Sequence, residues 1–284
     1  MKKLLSAFAI FALISSPLSI VNAESEYNNE EIQKVALASG KSEQEVIKLL
    51  NQRQERLKQT RENWSKIIQK QREEFKDEVD KQKANLGKKN EKVEMIRIIT
   101  SIDPKFEKQN FSYNEESGEL QLETTSGTGQ IGTYGDILIT LDSGSESSGS
   151  FYGGHAAIVS EDSNSWTIES FAKGWSPQAP KIDGVYWHIN DWANRYDTVA
   201  GYHVKKASLS DYTDAALYAE DNLYKPYNFD YFDKWDTTSF YCSQIVWRAW
   251  YSQGFNLDSD GGDAVWPEDI ANSSKVIPFY SAGI

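Results

Sequence analysis

Groups able to act as nucleophile or base are few in this chain of 284 residues: one cysteine, Cys242, and three histidines, His155, His188 and His203. A lone thiol cannot close a disulfide within its own chain, so Cys242 is a packed small hydrophobe, a partner for another chain, or a reactive group. Cys242, Ile245, Val246 and Ala249 fall on one helical stripe, which puts the sulfur in the first turn of a helix on the side that packs inward. At that position the unpaired amides and the helix dipole stabilise a thiolate, and the same amides can face an oxyanion formed beside the sulfur. A buried, inert cysteine fits the local pattern equally well.

A thiolate chemistry needs a base, and His155 can be tested against Glu169 by strand register. Two short strands, His155 to Ser160 and Trp166 to Phe171, follow one another closely. A three-residue turn at Glu161 to Ser163 pairs His155 with Glu169, close enough for a carboxylate to orient an imidazole. A five-residue turn sets Phe171 opposite His155 and keeps Glu169 on the same face. A four-residue turn breaks the relation. His188 stands in the aromatic run Tyr186-Trp187-His188 and His203 in a later strand; both fit structural roles better than that of a base. One cysteine and three scattered histidines offer no zinc spacing. The acidic loop Asp258 to Asp263 resembles a calcium loop in composition, but Asp263 stands where an EF-hand needs glycine and Asp269 where it needs glutamate.

The elements that must carry these residues divide by charge. Residues 24–110 hold 19 Lys and Arg against 17 Asp and Glu, whereas residues 111–284 hold 9 against 25. The acidic part carries eight of the nine tryptophans; it repels nucleic-acid backbone and anionic lipid and attracts amines, so no nucleic-acid partner is expected. Trp247 and Trp250 read as packing, and Trp175, Trp187, Trp192 and Trp235 as candidates for the floor of a groove. Residues 1–23 combine Met1-Lys2-Lys3, an apolar run and Val21-Asn22-Ala23, the pattern of a removed signal peptide, and no later segment is apolar enough to span a membrane. The expected location is therefore secreted or at the cell envelope.

Residues 24–100 read as a helical arm. Asn28 to Ser39 is a short amphipathic piece ending at Gly40, and Ser42-Glu43-Gln44-Glu45 fits a capping box opening a longer helix. Leu50, Leu57, Trp64 and Gln71 recur every seven residues, with polar seam positions at Arg53 and Thr60. This is a possible coiled coil, too weak to stand without a partner surface. Residues 101–129, with Asn114-Glu115-Glu116-Ser117-Gly118 and Thr124 to Gly129, read as a linker. Residues 130–284 then give strands at Asp136 to Thr140, His155 to Ser160, Trp166 to Phe171, Val185 to Ile189 and Thr198 to Val204. Late helices follow from Asp211 to Leu223, capped by Ser210, and from Cys242 to Ser252, stopped by Gly254. Strands first and helices after predict an α+β domain with a largely antiparallel sheet.

The segments Lys225-Pro226-Tyr227, Tyr241-Cys242-Ser243-Gln244-Ile245-Val246 and Gly254 resemble the nucleophile-helix region of the NlpC-type cell-wall peptidases, a branch of the papain-like superfamily. Gly135-Asp136-Ile137-Leu138 and Gly154-His155-Ala156-Ala157-Ile158-Val159 resemble that family's histidine strands. Here the cysteine helix follows the strands instead of preceding them, which resembles the circularly permuted, YiiX-like branch, as does Val265-Trp266-Pro267-Glu268-Asp269-Ile270. The resemblance, over residues 130 to 275, implies a permuted papain-like domain. In it Cys242 is the nucleophile, His155 the base and Glu169 the orienting third member, with Tyr227 an oxyanion donor. Tyr241 stands where the ordinary family commonly has aspartate, so it falls among the substrate-binding positions.

The implied activity is a cysteine hydrolase that cuts amide bonds, in peptidoglycan stem peptides or another amide or acyl substrate, with no metal or organic cofactor required. Two alternatives have different chemistry. The permuted branch also resembles, more distantly, the lecithin retinol acyltransferase group, which implies lipid esters or acyl transfer. A non-enzymatic envelope-binding protein would use the helical arm as its working part, with Cys242 merely packed.

Overall fold

A computed structural model describes residues 27–85, 91–108, 111–122, 127–142, 153–177 and 183–284. The expected signal segment, residues 1–23, lies outside the described residues, as does Gly87.

Local signals set the N-terminal helices. Asn28 caps α1 (Asn29–Ser39) by accepting from the Glu30 amide at 3.0 Å, and Gly40, at φ 66°, ends it in the left-handed region that glycine adopts at no steric cost. Ser42 accepts from the Glu45 amide at 3.3 Å at the start of α2 (Glu43–Asn85). The heptad stripe of α2 is buried, but against its own chain. Leu57, Trp64 and Ile68 join the core shared by the sheet and the later helices, and Phe75 and Val79 join a second core on the other side. The polar seam positions are the attachment points. Arg53 meets Glu268, Thr60 accepts from the Asn272 side chain at 3.1 Å, and Gln71 donates to the carbonyls of Ala271 and Ser273 at 3.0 and 3.2 Å. The partner surface that the weak heptad required is thus the acidic half of the same molecule, and the arm and the C-terminal region share one interior.

The stretch expected as linker is partly ordered structure. It holds the end of α3 (Glu91–Ile102), a 3-10 turn at Pro104–Lys108, and a hairpin of β1 (Phe111–Asn114) and β2 (Glu119–Leu122). The composition that reads as loop, Asn114 to Gly118, is the hairpin's turn. There the Asn114 side chain accepts from the amides of Glu116 and Ser117 at 2.9 and 3.1 Å, and Gly118 takes φ 69°.

The main sheet comprises β3 (Ile137–Thr140), β4 (His155–Val159), β5 (Trp166–Phe171), β6 (Gly184–Ile189), β7 (Val199–Val204) and β8 (Val276–Ala282), in the order β6-β5-β4-β3-β7-β8. Every neighbouring pair is antiparallel. A four-residue helix, α4 (Trp192–Arg195), lies between β6 and β7. One sheet face, with Ile137, Ile139, Ala156 and Ile158, packs under α5 (Leu209–Asp221) and α6 (Cys242–Ser252). The other, with Leu138, Ala157 and Val159, packs under α3, Phe106 and Trp192. A short α7 (Pro267–Ala271) precedes β8.

Two expectations are corrected. Helix α5 starts two residues earlier and is capped by Ser208, not Ser210: Ser208 accepts from the Asp211 amide at 3.2 Å while Asp211 accepts from the Ser208 amide at 2.7 Å, a reciprocal box. Strand β8 is unforeseen. It carries Pro278, tolerated because β8 lies at the sheet edge beside a register shift at Gly201 and Tyr202. Among the described residues no helix is long and apolar enough to cross a membrane.

Candidate active site

Helix α6 begins at Cys242 because Tyr241 is the last extended residue, at φ −89° and ψ 169°, and Gln244 reaches back to accept from the Tyr241 amide at 3.1 Å. The amide group of Gln244 also donates to the carbonyls of Lys234 and Asp236 at 3.2 and 2.9 Å, which fastens the preceding loop to the helix start. Cys242 is therefore a first-turn residue, 5% exposed, with the helix dipole behind it.

Strand β4 presents His155 to that thiol. The turn joining β4 to β5 has five residues: Ile158 pairs with Ile168 and Val159 with Thr167, which sets Phe171 opposite His155 and leaves Glu169 on the same face. Phe171 stacks on the imidazole with centroids 4.3 Å apart, and Trp192 stacks farther off at 5.7 Å. His155 Nε2 lies 2.8 Å from Glu169 Oε2. With Nε2 on the carboxylate, Nδ1 is left as the nitrogen for the sulfur. Burial pushes the His155 imidazole down, but the Cys242 thiolate and the Glu169 carboxylate outweigh it and hold the ring up at about 9. Burial pushes the Cys242 thiol up, and the facing imidazole, helped by the Ala156 amide, brings it below its ordinary value. The two groups thus favour the thiolate–imidazolium form.

Glu169 is wholly buried and heavily bound. Arg195 Nη1 reaches both its oxygens, at 3.0 and 2.9 Å, Trp192 Nε1 donates at 3.1 Å, and the Thr167 hydroxyl donates to Oε1. Burial would push this carboxyl up, but the Arg195 guanidinium and the His155 hydrogen bond hold it far below the usual carboxylate range. Arg195 does not stand out in the sequence, since a four-residue helix shows no periodicity, and Trp192 reads there as the floor of a groove and not as a donor to Glu169. The one available signal is Asp191 four residues before Arg195, a pair that closes at 2.7 Å.

The other expected residues fall differently. Tyr227 is buried in a cluster with Tyr231, Tyr241, Trp266 and the start of α1 and α2, and its hydroxyl lies 3.2 Å from that of Tyr231. Tyr241 is buried too, and its hydroxyl accepts from the Val265 amide at 3.0 Å, so the residue expected to touch substrate braces the start of α6 instead. His188 is buried opposite Thr167 on β6, and burial pushes it down to about 4, so it stays neutral. His203 bonds Asp103 at 2.6 Å, far along the sheet. Of the tryptophans weighed for a groove, Trp192 is buried against Glu169 and Trp235 is 53% exposed.

Arg53 of α2 supports the site from behind. It forms a two-pronged pair with Glu268, at 2.9 and 3.0 Å, and donates at 2.7 Å to the carbonyl of Gly153, two residues before His155. Asp258 and Asp260 of the acidic loop and Asp269 of α7 bring carboxylate oxygens within 4.8 Å of one another. Two cations already sit on this cluster: Lys234 on Asp258 at 2.6 Å and Arg56 on Asp260 at 2.7 Å.

Comparison with known proteins bears on this geometry. Residues 151–260 match the family model described as permuted papain-like amidase enzyme, YaeF/YiiX, C92 family. Among solved structures, the crystal structure of metalloprotein yiiX from Escherichia coli O157:H7 aligns at 15% identity, covering 52% of this chain and 97% of that one, with a TM-score of 0.38. No curated protein matches. The stretch that carries His155, Glu169 and Cys242 is thus similar to the permuted papain-like amidases, a family of cysteine peptidases and amidases.

Proposed function

We propose that the protein hydrolyses amide bonds of peptidoglycan stem peptides outside the cytoplasm, with Cys242 as nucleophile, His155 as proton carrier and Glu169 as its orienting carboxylate. The observation that carries the chemistry is Cys242 in the first turn of α6 facing a buried His155 whose Nε2 lies 2.8 Å from Glu169. The thiolate attacks the amide carbon, and the carbonyl electrons move to an oxyanion facing the Cys242 backbone amide. The oxyanion collapses, the C–N bond breaks, and the His155 imidazolium gives its proton to the leaving amine, leaving a thioester. Neutral His155 then takes a proton from water as the water oxygen attacks the thioester, releasing the acid and restoring the thiolate.

The wall as substrate is supported by the motifs shared with cell-wall peptidases and by an export-type segment at residues 1–23. It is further supported by the excess of 25 acidic over 9 basic residues in 111–284, which favours a substrate with a free amine such as a diamino acid side chain. Mass spectrometry of purified peptidoglycan after incubation with the protein tests the reading. New peptide termini that vanish with Cys242→Ala are expected. Intact peptidoglycan, with release of acid from acyl esters instead, would transfer the chemistry to lipid substrates. Cleavage unchanged by acetylating the substrate amine would remove the charge argument.

A further inference from the structure

Arg195 reaches the site from α4, outside the motifs that mark the family in this chain. Its guanidinium is nearly buried, touches both oxygens of Glu169 through Nη1, pairs with Asp191 at 2.7 Å and donates to the Ile189 carbonyl. Its flat face lies 5.7 Å from the Trp192 ring and 5.5 Å from that of Tyr196. A fork held at so many points cannot move without moving Glu169.

We propose that Arg195 is a positioning residue that closes a buried chain of alternating charge, Cys242, His155, Glu169 and Arg195, and so sets the pH range over which the thiolate and imidazolium coexist. The proposal rests on the reading of Cys242 and His155 as the reacting pair. Its logic is charge balance. With Arg195 in place the four groups sum to zero. Without it the same pocket holds two anions and one cation, and each further proton becomes harder to remove. Both limbs of the activity profile then rise: the acid limb, where Cys242 loses its proton, and the basic limb, where His155 does. The other groups facing this chain do not replace the missing charge. Thr167 on β5 and Trp192 on α4 are neutral, His188 on β6 is neutral, the Tyr196 phenol is pushed up by burial and keeps its proton, and Asp191 is a half-exposed anion.

The test is the pH dependence of Cys242 alkylation by iodoacetamide, which needs no substrate, beside kcat/KM against pH on peptidoglycan fragments. In Arg195→Met both limbs are expected to move up by about one pH unit, roughly a fivefold loss of thiolate at the original acid midpoint. Arg195→Lys keeps the charge and is expected to keep the wild-type limbs, with a lower plateau because one ammonium cannot span the carboxylate. Limbs in Arg195→Met that coincide with wild type, whatever the plateau, would overturn the proposal. So would limbs in Arg195→Lys that shift as far as those expected for methionine, and this second variant decides the matter should the methionine variant not fold. Shifted alkylation limbs without any amide cleavage would refute the function and leave the role of Arg195 standing.

Discussion

Two histidines of this molecule have nearly the same surroundings, yet one faces the thiol of Cys242 and the other does not. His155 on β4 and His203 on β7 are both fully buried, both bonded to a buried carboxylate, at 2.8 Å to Glu169 and 2.6 Å to Asp103, and both held up at about 9. Each also lies against an aromatic ring, Phe171 at 4.3 Å and Phe106 at 4.5 Å. The second nitrogen separates them. In His155 it is left for the sulfur of Cys242 at a helix start. In His203 it points at Asp136, 3.4 Å away, whose other close charge is Lys105 at 3.8 Å. Lys105 in turn lies over the rings of Tyr134 and Tyr212. The His203 cluster therefore clamps the turn after α3 to the sheet, whereas the His155 cluster faces a thiol, which under the proposed function it activates. A buried His–carboxylate pair is no active site by itself; the partner on the far nitrogen decides.

The widest separation should come from removing each histidine. Cys242→Ala and His155→Ala are expected to lower kcat/KM by about 10⁴ or more, whereas His203→Gln should leave the kcat/KM of the folded protein within about threefold of wild type and lower the melting temperature instead. A His203 variant that folds but is inactive would collapse the distinction. Next, Arg53→Met leaves Glu268 buried without its cation and should destabilise the fold by about 3 to 5 kcal/mol in urea titration, because this arm residue sits in the shared interior. A loss under about 1 kcal/mol would mean that the arm is attached only loosely. Glu169→Gln should cost about 10²-fold in kcat through a less well oriented imidazole, while Asp103→Asn should change kcat little.

The smallest effect is a pH dependence of stability. His203 is raised in the folded state from 6.5 to about 9, so its contribution is complete below 6.5 and fades as pH rises through 9. Burial pushes Lys105 down to about 8, and it sheds its proton in the folded state first, which offsets part of that loss above pH 8. The His203 share of the stability lost between pH 6.5 and 8 should be about 1 to 2 kcal/mol, and the wild-type slope should flatten by that share in Asp103→Asn. An identical slope in both would assign the dependence to other groups.

What was legible in the sequence was local. The bounds of α6 follow from signals within a few residues of its ends, and Glu169 shares a face with His155 for either odd turn length, so the pair stood out before its register was known. The fold class was legible too, because the order of strands and late helices constrains the layers. The rest depends on distance along the chain. Arg53 and Glu268 are 215 residues apart, and a buried arginine on a heptad seam reads as a flaw in a coiled coil until its partner is placed. Arg195 sits on a helix too short to show a period, and Pro278 disguises β8. The Asn114–Gly118 composition reads as loop within a linker, and the four-residue strands that make it the turn of a hairpin are too short to outweigh that reading.

The most direct measurement is a thiolate titration: the ultraviolet absorbance of the protein against pH, taken as the difference from Cys242→Ala so that only one sulfur contributes. The expected thiolate midpoint lies below the ordinary value of 9, moves up in His155→Ala and stays put in His203→Gln. A wild-type midpoint at or above 9 would mean that His155 does not activate Cys242, and the central claim would fall.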